Sequence, residues 1–514
     1  MTSQAAAGDS ARPRQQPAAV SARRWLVLQI VCVGELMCVL DTTIVNIALP
    51  SIQRDLHMSL SGLQWVVNAD ILLFGGFLLL GGRLADLLGR KRLFLAGLVI
   101  FTLASLTSGL AHSTGVLVVG RGGQGLGAAL LTPAALSIVT TTFEDGRERA
   151  RALSIWGSVT AGAAALGLVL GGVLTQALTW HWIFFINVPI GVVTFAAALP
   201  AVPGSPGKAG RRRFDIAGAV LVTSGLILGV YALVEGQSQG WASAQTIVPG
   251  AIAVVLLAAF LVNELRVPEP LMRLSLLRVR TLAVANSAQF LNMAGVMGMF
   301  YFTTLYVQDI LGFDPFVTGL LFLPATLAVI VGANIARRLI QRIGPVALGT
   351  AGLVVSALGM LYFTRIPVHG SYLADVLPGM LPRSIGLGMT YVPLILLATA
   401  VPPQDAGLAS GLLSTIGQVG GAIGLAVLST LAAIRTAHVL AGHPGAGTAL
   451  VHAAQVSGFR LAFTCAAGSI VCGAILYAAL LRRRNLPPSA GGPPAPDAAG
   501  REPTAAAGRG RADG

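Results

Sequence analysis

Long apolar runs dominate the sequence, and they restrict the chain to helices that cross a membrane. A membrane-spanning helix needs about 20 mostly apolar residues. Runs of this kind occur fourteen times, at 25–48, 61–81, 93–111, 115–140, 152–178, 182–202, 215–235, 246–264, 282–308, 316–335, 346–364, 373–400, 408–434 and 459–481. Because the bilayer offers the backbone no water, each run must satisfy its own hydrogen bonds as a helix. The sequence therefore predicts an all-α integral membrane protein with fourteen transmembrane helices.

The composition favours a membrane protein over a set of soluble domains. Hydrophobic residues make up 54% of the 514 residues and charged residues 11%, whereas a soluble domain is about a quarter charged. The net charge of +14 does not indicate a nucleic-acid partner, because the basic residues lie in short segments between apolar runs. The four cysteines all lie inside apolar runs without metal-ligand spacing. No metal and no cofactor are therefore predicted.

The basic residues also predict the orientation of the chain. With the N-terminus placed inside, the outer segments hold only four of the 34 Lys and Arg residues: Arg54, Arg365, Arg435 and Arg460. Two more, Arg121 and Arg383, fall within apolar runs. Because cytoplasmic loops carry the excess of basic residues, we expect an even helix count. Both termini are then cytoplasmic in a multi-pass protein of the cell (plasma) membrane.

A weak internal repeat relates helices that are eight apart. Helix 4 carries Arg121 ahead of a Gly-Leu-Gly sequence and Pro133, and helix 12 carries Arg383 ahead of the same sequence and Pro393. Related halves around a midplane site are common in secondary transporters. The predicted parts are a disordered cytoplasmic N-terminus at 1–24, a six-helix bundle at 25–202, a linker with two extra transmembrane helices at 203–281, a second six-helix bundle at 282–481, and a disordered cytoplasmic tail at 482–514.

Ionisable residues inside the apolar runs are the first candidates for a functional site. Asp41 and Glu35 lie in helix 1, about 240° apart around its axis, and Asp70 lies in the middle of helix 2. A charge near the bilayer centre costs about 2.5–3.5 kcal/mol, so such residues usually face a cavity or a partner. Arg121 is a natural partner for Asp70, as a static pair or as a coupling pair. These four residues form the predicted proton and substrate site.

A charged segment between helices 2 and 3 is the second candidate. Its glycines, Gly82 and Gly89, permit a sharp turn. Asp86 lies among basic residues that include Arg90 and Lys91, and such a group can form a charge network at the helix ends. We predict that these five residues form a loop that governs conformational switching.

Helix 5 is rich in glycine, at Gly162, Gly167, Gly171 and Gly172 among others. Small residues let two transmembrane helices approach closely. Two interpretations stay open for these four positions: plain helix packing, or a motif that belongs to the transport mechanism.

Several motifs together resemble the major facilitator superfamily, and within it the fourteen-helix drug:proton antiporter branch. They are Leu40-Asp-Thr-Thr-Ile-Val-Asn-Ile-Ala-Leu-Pro50, the segment Gly82 to Arg92, Arg121-Gly-Gly-Gln-Gly-Leu-Gly127 with Pro133, Trp182-Ile-Phe-Phe-Ile-Asn-Val-Pro189, and Gly167-Leu-Val-Leu-Gly-Gly172. The chain departs from the family pattern at Leu87, where a basic residue is frequent, and at Leu168, where proline is usual. The resemblance covers residues 25 to about 481.

The resemblance implies a major facilitator fold and export of lipophilic or cationic small molecules, such as drugs or antibiotics, in exchange for protons. Asp41 carries the family-like signature and is assigned to recognition of a cationic substrate or a proton. Asp70 departs from the usual family pattern and is assigned to coupling because it can face Arg121. Proton-coupled uptake or symport is the alternative, and a membrane sensor or enzyme is a weaker one. No nucleophile–base or metal-ligand spacing points to an enzyme, and no glycine-rich phosphate-binding loop points to ATP-driven transport. The expected partners are the substrate, protons and the lipid bilayer, without nucleic acid or an obligate protein partner.

Overall fold

The computed structural model describes residues 18–143, 146–204, 215–268, 270–271, 274–401, 406–441, 443 and 447–481. Regular structure in these residues is helical throughout, which confirms the predicted all-α class. The α-helices are α1 (Ala18–Asp55), α2 (Leu60–Leu88), α3 (Arg90–Gly109), α4 (Thr114–Thr142), α5 (Gly146–Ala177), α6 (Trp182–Phe185), α7 (Asn187–Ala201), α8 (Ile216–Gln239), α9 (Ala244–Arg266), α10 (Arg280–Leu305), α11 (Pro315–Tyr362), α12 (Leu377–Ala398), α13 (Ala406–Leu440) and α14 (Thr448–Leu480). Short 3₁₀-helices span Leu274–Arg278 and Phe363–Arg365, and π-helical turns span Tyr306–Ile310 and Tyr372–Val376.

Thirteen segments of the described chain are long and apolar enough to cross a membrane. The difference from the predicted fourteen arises in α11, which contains the two predicted helices 316–335 and 346–364. Inside α11 the backbone of Gly344 leaves the helical region, with φ 79° and ψ 165°. Glycine adopts a positive φ without steric cost, and the following Pro345 cannot continue the hydrogen-bond ladder. The helix is therefore interrupted at this point.

Most helices begin before their apolar runs, and two of them begin much earlier. α1 begins at Ala18 rather than 25, and α14 begins at Thr448 rather than 459. A helix continues beyond the membrane as long as its residues tolerate helical geometry, so an apolar run marks the buried part and not the helix end. The predicted tail at 482–514 lies outside the described residues.

The helices pack in two groups. In the first group α1 packs on α5 and α7, and both α2 and α3 pack on α4. In the second, α10 packs on α13 and α14, and α11 packs on α12 and α14. α8 and α9 form a hairpin whose α8 contacts α2 of the first group and α13 of the second. We call these groups the first bundle and the second bundle.

The two ends of the molecule differ in charge. Arg24 of α1 lies 3.9 Å from Glu148 of α5, and the Arg151 guanidinium lies 5.0 Å from the centre of the Trp25 ring. We call this end, where α1 and α5 begin, the basic end. At the other end, where α1 finishes, Trp180 Nε1 donates to Asp55 Oδ2 over 2.9 Å. We call that the opposite end.

One seam between the bundles is closed over its whole length. It joins α2 to α13. Near the opposite end Ser429 Oγ donates to Gln64 Oε1 over 2.5 Å. Near the basic end a β-carbon at Gly411 would lie 2.9 Å from Leu79 Cδ2. The two helices therefore stay in contact from one end to the other.

The other seam, between α5 and α11, is closed only at the opposite end. A β-carbon at Gly172 would lie 2.5 Å from Pro315 O, and one at Gly319 would overlap Leu168 O. Only glycine permits this approach of two backbones. Towards the basic end, Ser158 lies within about 40° of Gly172 around α5, yet its side chain is exposed. α5 and α11 have therefore separated there.

The predicted loop between helices 2 and 3 is shorter than expected. α2 continues through Gly82 to Leu88, and α3 begins at Arg90, so Gly89 alone makes the turn with φ 94°. The prediction that Gly82 takes part in the turn is wrong, because that residue is helical. Lys91 Nζ donates to Leu199 O near the end of α7 over 2.6 Å. The side chain of Asp86 lies outside the described residues.

Candidate substrate and proton site

Three of the predicted ionisable residues meet inside the first bundle. Arg121 of α4 reaches Asp41 of α1 through Nη1, with 2.5 Å to Oδ2, and Asp70 of α2 through Nη2, with 3.1 Å to Oδ2. All three side chains are buried. The expected contact between Asp70 and Arg121 is present, and Asp41 is a second partner that the sequence did not identify.

The backbone of α2 fixes the position of Arg121. Its Nε donates to Val66 O over 2.9 Å. One turn further along α4, a β-carbon at Gly125 would overlap the carbonyl group of Asp70. Glycine at this position lets α2 and α4 approach closely. The guanidinium can therefore reach both the α2 backbone and the Asp70 carboxylate.

Asp41 is the best-satisfied carboxylate of the site. Besides Arg121, it accepts hydrogen bonds at Oδ1 from Gln124 Nε2 over 2.7 Å and from Asn187 Nδ2 over 2.8 Å. Both amides also donate to Ser105 Oγ, over 3.2 and 3.0 Å. Charge-assisted bonds such as the one from Arg121 are the stronger ones, so the network of three donors fixes the position of the Asp41 side chain.

Sequence reasoning missed the roles of Gln124, Asn187 and Ser105. A signal existed for the two amides, because Gln124 lies inside the Arg121–Gly127 motif and Asn187 inside the Trp182–Pro189 motif. Polar side chains in an apolar run need partners. Which partner each one finds depends on how the helices pack, and a single sequence does not contain that information.

A cavity of about 280 Å³ lies between the bundles beside this network. Met297 and Phe300 line it from α10, and Gln418 from α13. Its lining from the first bundle includes Glu35, Thr42, Thr43, Asn46, Asp70, Arg121 and Thr132. Asp41 is 0% exposed and does not belong to the lining. We call this space the central cavity.

Glu35 is the carboxylate in the central cavity that is not tied into the network. Thr132 of α4 hydrogen-bonds the Glu35 side chain, but Glu35 Oε2 has no hydrogen-bond partner among the described residues. The residue is 7% exposed. A buried carboxylate oxygen without a donor is costly. Its position therefore favours a bound proton or a cationic group of a ligand.

The charge balance of the first bundle also favours binding of a proton or a cation. Two carboxylates, Asp41 and Asp70, share one guanidinium, and Glu35 adds a third acid nearby. A surplus negative charge in a medium of low polarity attracts a cation or a proton strongly. When Asp70 takes up a proton, the remaining Asp41–Arg121 pair is neutral.

The four glycines of α5 have different surroundings. A β-carbon at Gly167 would lie 2.8 Å from Leu40 O, and one at Gly171 2.8 Å from Ile44 O, so both residues bring α5 onto α1. Gly172 instead faces α11 across the seam. Nothing lies within 4 Å of a β-carbon at Gly162. Of the two interpretations left open for these glycines, plain helix packing does not account for Gly162, because no neighbouring helix approaches it.

The second bundle has a buried arginine in different chemical surroundings. Arg383 of α12 is 1% exposed. It donates through Nη1 to Ser356 Oγ and through Nη2 to Asn292 O, the latter over 3.2 Å. Among the described residues it makes no ion pair, and its Nε has no acceptor. Unlike Arg121, it therefore has only neutral oxygen partners in this part of the chain.

Residues 31–425 match the family model of the Major Facilitator Superfamily. The chain belongs to this superfamily. It is accordingly a multi-pass membrane transporter that acts on small molecules, and it is not an enzyme. The resemblance noted in the sequence motifs is confirmed.

Relatives and solved structures agree with this assignment. The chain is 38% identical over 467 residues to the puromycin resistance protein pur8 of Streptomyces alboniger. The aligned region covers 90% of this chain and 92% of the relative. The chain is 40% identical over 437 residues to the cephamycin export protein CmcT of Amycolatopsis lactamdurans, covering 84% and 88%. The crystal structure of the POT family transporter PepTSo superposes with a TM-score of 0.64 at 15% identity, covering 88% and 97%, and so supports the fold.

Proposed function

We propose that the protein exports lipophilic or cationic small molecules, such as antibiotics, in exchange for protons by alternating access. Relatives that share more than a third of the sequence are named for antibiotic resistance or export. The observation that carries the proposal is the buried Asp41–Arg121–Asp70 network beside a cavity that also contains Glu35. Such groups can bind a proton and a cationic drug in the same space, so that one displaces the other as antiport demands.

The architecture proposed for this cycle has fourteen membrane spans. The interruption at Gly344 divides the 51-residue segment Pro315–Arg365, which is too long for one span. Residues 25–202 and 282–481 then form two six-helix bundles, with α8 and α9 added in the linker 203–281. The positive-inside rule places the basic end and both termini in the cytoplasm.

In this arrangement Asp70 exchanges the coupling proton. It lines the central cavity and has one partner in Arg121 at 3.1 Å, whereas Asp41 is held by three donors away from the cavity. Protonation of Asp70 weakens its contact with Arg121 and reduces the surplus charge. This difference between a neutral and a charged site biases the bundles towards one side or the other.

We assign recognition of the cationic substrate to Glu35 rather than to Asp41. Glu35 faces the cavity with an unpartnered oxygen, and Asp41 is saturated with donors. Apolar contacts for the body of the substrate come from Met297 and Phe300 across the cavity. Opposite-charge and apolar contacts together suit a lipophilic amine.

Conformational change is proposed to depend on the glycine contacts at the α5–α11 seam and on the segment Gly82 to Arg92. Gly172 closes the seam at the opposite end in this state. Lys91 links the start of α3 to the end of α7, so it can hold the first bundle rigid while it moves. The predicted charge network of Asp86, Arg90 and Lys91 stays part of this proposal.

A resistance assay tests the function. The gene is expressed in a bacterium that lacks its own exporters, and puromycin and ethidium are supplied with and without a protonophore. We expect resistance that the protonophore removes, and loss of resistance in Asp70→Asn and Glu35→Gln. Greater drug accumulation in cells that express the protein would indicate uptake instead and would overturn the proposal.

The orientation has a separate test. A cysteine at Gly240, in the exposed turn after α8, should react with an impermeant maleimide added to intact cells. A cysteine at Leu88, exposed at the basic end, should react only after the cells are opened. The reverse pattern would overturn the proposed orientation.

A further inference from the structure

A second cavity lies outside the site described above. It is a groove of about 290 Å³ between α1 and α5 near the basic end. Six side chains of α1, from Trp25 to Leu36, line it together with Ile155 and Val159 of α5. Gln29 is the one residue among these eight with a polar amide. We call it the α1–α5 groove.

The groove leads towards the central cavity along α1. Cys32 and Leu36 line the groove, and Glu35 and Val39 line the central cavity. Residues three or four apart on a helix lie on neighbouring turns of one face, so the lining of one space passes into the lining of the other. The inner end of the groove, at Cys32 and Leu36, is therefore within one helical turn of Glu35 along α1.

The groove lies on the side of the molecule where the bundles have separated. Ser158 and Gly162 of α5 are exposed towards the basic end, so the α5–α11 seam is parted at this level. The other seam, α2–α13, is closed and also covered: Thr223 of α8 contacts Gly76, and Thr430 Oγ1 donates to Leu233 O over 3.2 Å. Of the two seams, as far as the chain is described, only α5–α11 is thus open at the level of the groove.

The Trp25 end of the groove carries side chains that are typical of a membrane interface. The Trp25 ring packs 5.0 Å from the Phe143 ring, and the Arg151 guanidinium lies 5.0 Å from the Trp25 ring centre. Trp and Arg side chains concentrate where lipid headgroups meet the apolar core. Lipophilic cations dissolved in a bilayer also reside at this level.

We propose that the α1–α5 groove is a loading site for lipophilic amines and other lipophilic cations, which arrive from the leaflet at the basic end and pass to Glu35. Apolar walls bind the body of the molecule, and the carboxylate at the inner end attracts its charge. The inference rests on the proposed export function and adds the place where the substrate is loaded and its route to Glu35. Hydrophilic cations reach the central cavity from the water and do not use the groove.

The first test blocks the groove and measures transport in proteoliposomes. The probes are a series from tetramethylammonium to decyltrimethylammonium, which keep one charge while membrane partition rises. Val159→Trp should raise KM for the longest member about tenfold, the equivalent of losing roughly two buried methylenes, with kcat and the short members unchanged. Val254→Trp, on a lipid-exposed face of α9, is the matched control. An equal KM rise across the series, or none, overturns the proposal.

A second variant is needed because Val159→Trp could change transport by misfolding. Val33 is 40% exposed in the groove, so Val33→Trp narrows the same space with little change to the packed interior. It should reproduce the effect of Val159→Trp on KM. Wild-type KM in both variants would show that substrates do not pass through the groove.

Binding is then measured without transport. The four cysteines are replaced, Val33→Cys is added, and its reaction rate with N-ethylmaleimide is followed. Decyltrimethylammonium should slow the reaction several-fold, tetramethylammonium should not, and Val254→Cys should be unaffected. Protection without any export would overturn the proposed function and leave the loading site. Export without protection and without a KM shift would overturn the loading site alone.

Discussion

Two glycines of α5 provide a direct test of how the bundles are held closed. Gly172 and Gly162 lie in the same helix, yet a β-carbon at Gly172 would lie 2.5 Å from Pro315 O and 2.6 Å from Phe316 Cα, and one at Gly162 would meet nothing within 4 Å. Gly172→Ala therefore forces apart two backbones that belong to different bundles. Gly162→Ala is the matched control, because it adds the same methyl group in open space.

The size of the effect follows from the geometry. Real β-carbons do not approach backbone atoms this closely, so α5 and α11 must move, and overpacking of this kind costs about 1–3 kcal/mol. The contact lies between bundles, so opening the seam relieves the cost and unfolding is not needed. The closed state should lose population relative to the open one by a factor of about 5 to 150. Gly162→Ala should gain about 0.5–1 kcal/mol of helix stability instead.

The assay follows opening of the seam directly. Leu168, which lines the central cavity just inside the seam, is replaced by cysteine, and its reaction with an impermeant maleimide added at the opposite end is timed. Gly172→Ala should accelerate labelling and slow transport without lowering the unfolding temperature in detergent. The reasoning would be refuted if Gly172→Ala and Gly162→Ala gave the same labelling rate, or if Gly172→Ala only destabilised the fold.

Three further predictions concern the first bundle. Arg121→Ala leaves two buried carboxylates without a cation, which should cost about 3–5 kcal/mol in detergent unfolding and abolish transport driven by a pH gradient; full activity would remove Arg121 from the mechanism. Asn187→Leu removes one donor to Asp41 and should cost about 1–3 kcal/mol, measured the same way, with Asn187→Gln partly restoring stability. Lys91→Met should slow transport of all substrates alike, and a changed substrate profile at normal turnover would contradict this.

The sequence predicted those contacts of the site that follow from the need of a buried charge for an opposite charge. A buried Asp70 and a buried Arg121 each need an opposite charge, so their contact followed from the two positions alone. Asp41 has the same need, but its further partners Gln124 and Asn187 come from α4 and from the start of α7. Nothing in the apolar pattern shows which face of α1 points to those helices.

In helix 5 the sequence likewise does not reveal what each glycine packs against. Gly167 and Gly171 are four positions apart and so lie on one face, and both pack on α1. Gly172 is adjacent in sequence but faces another bundle, and Gly162 faces open space. Glycine has no side chain that would reveal its surroundings, so only the packing separates the three environments.

The two halves of the internal repeat have kept a common framework with different chemistry. In both, the paired glycines after the arginine bring helices together: Gly125 contacts α2, and Gly388 contacts Val329 of α11. Arg121 is bound by two carboxylates, whereas Arg383 is bound by a hydroxyl and a backbone carbonyl. Only the first arrangement changes its net charge when a carboxylate takes up a proton. In the proposed cycle we therefore assign proton exchange to the first bundle, and the second bundle supplies the facing wall of the central cavity.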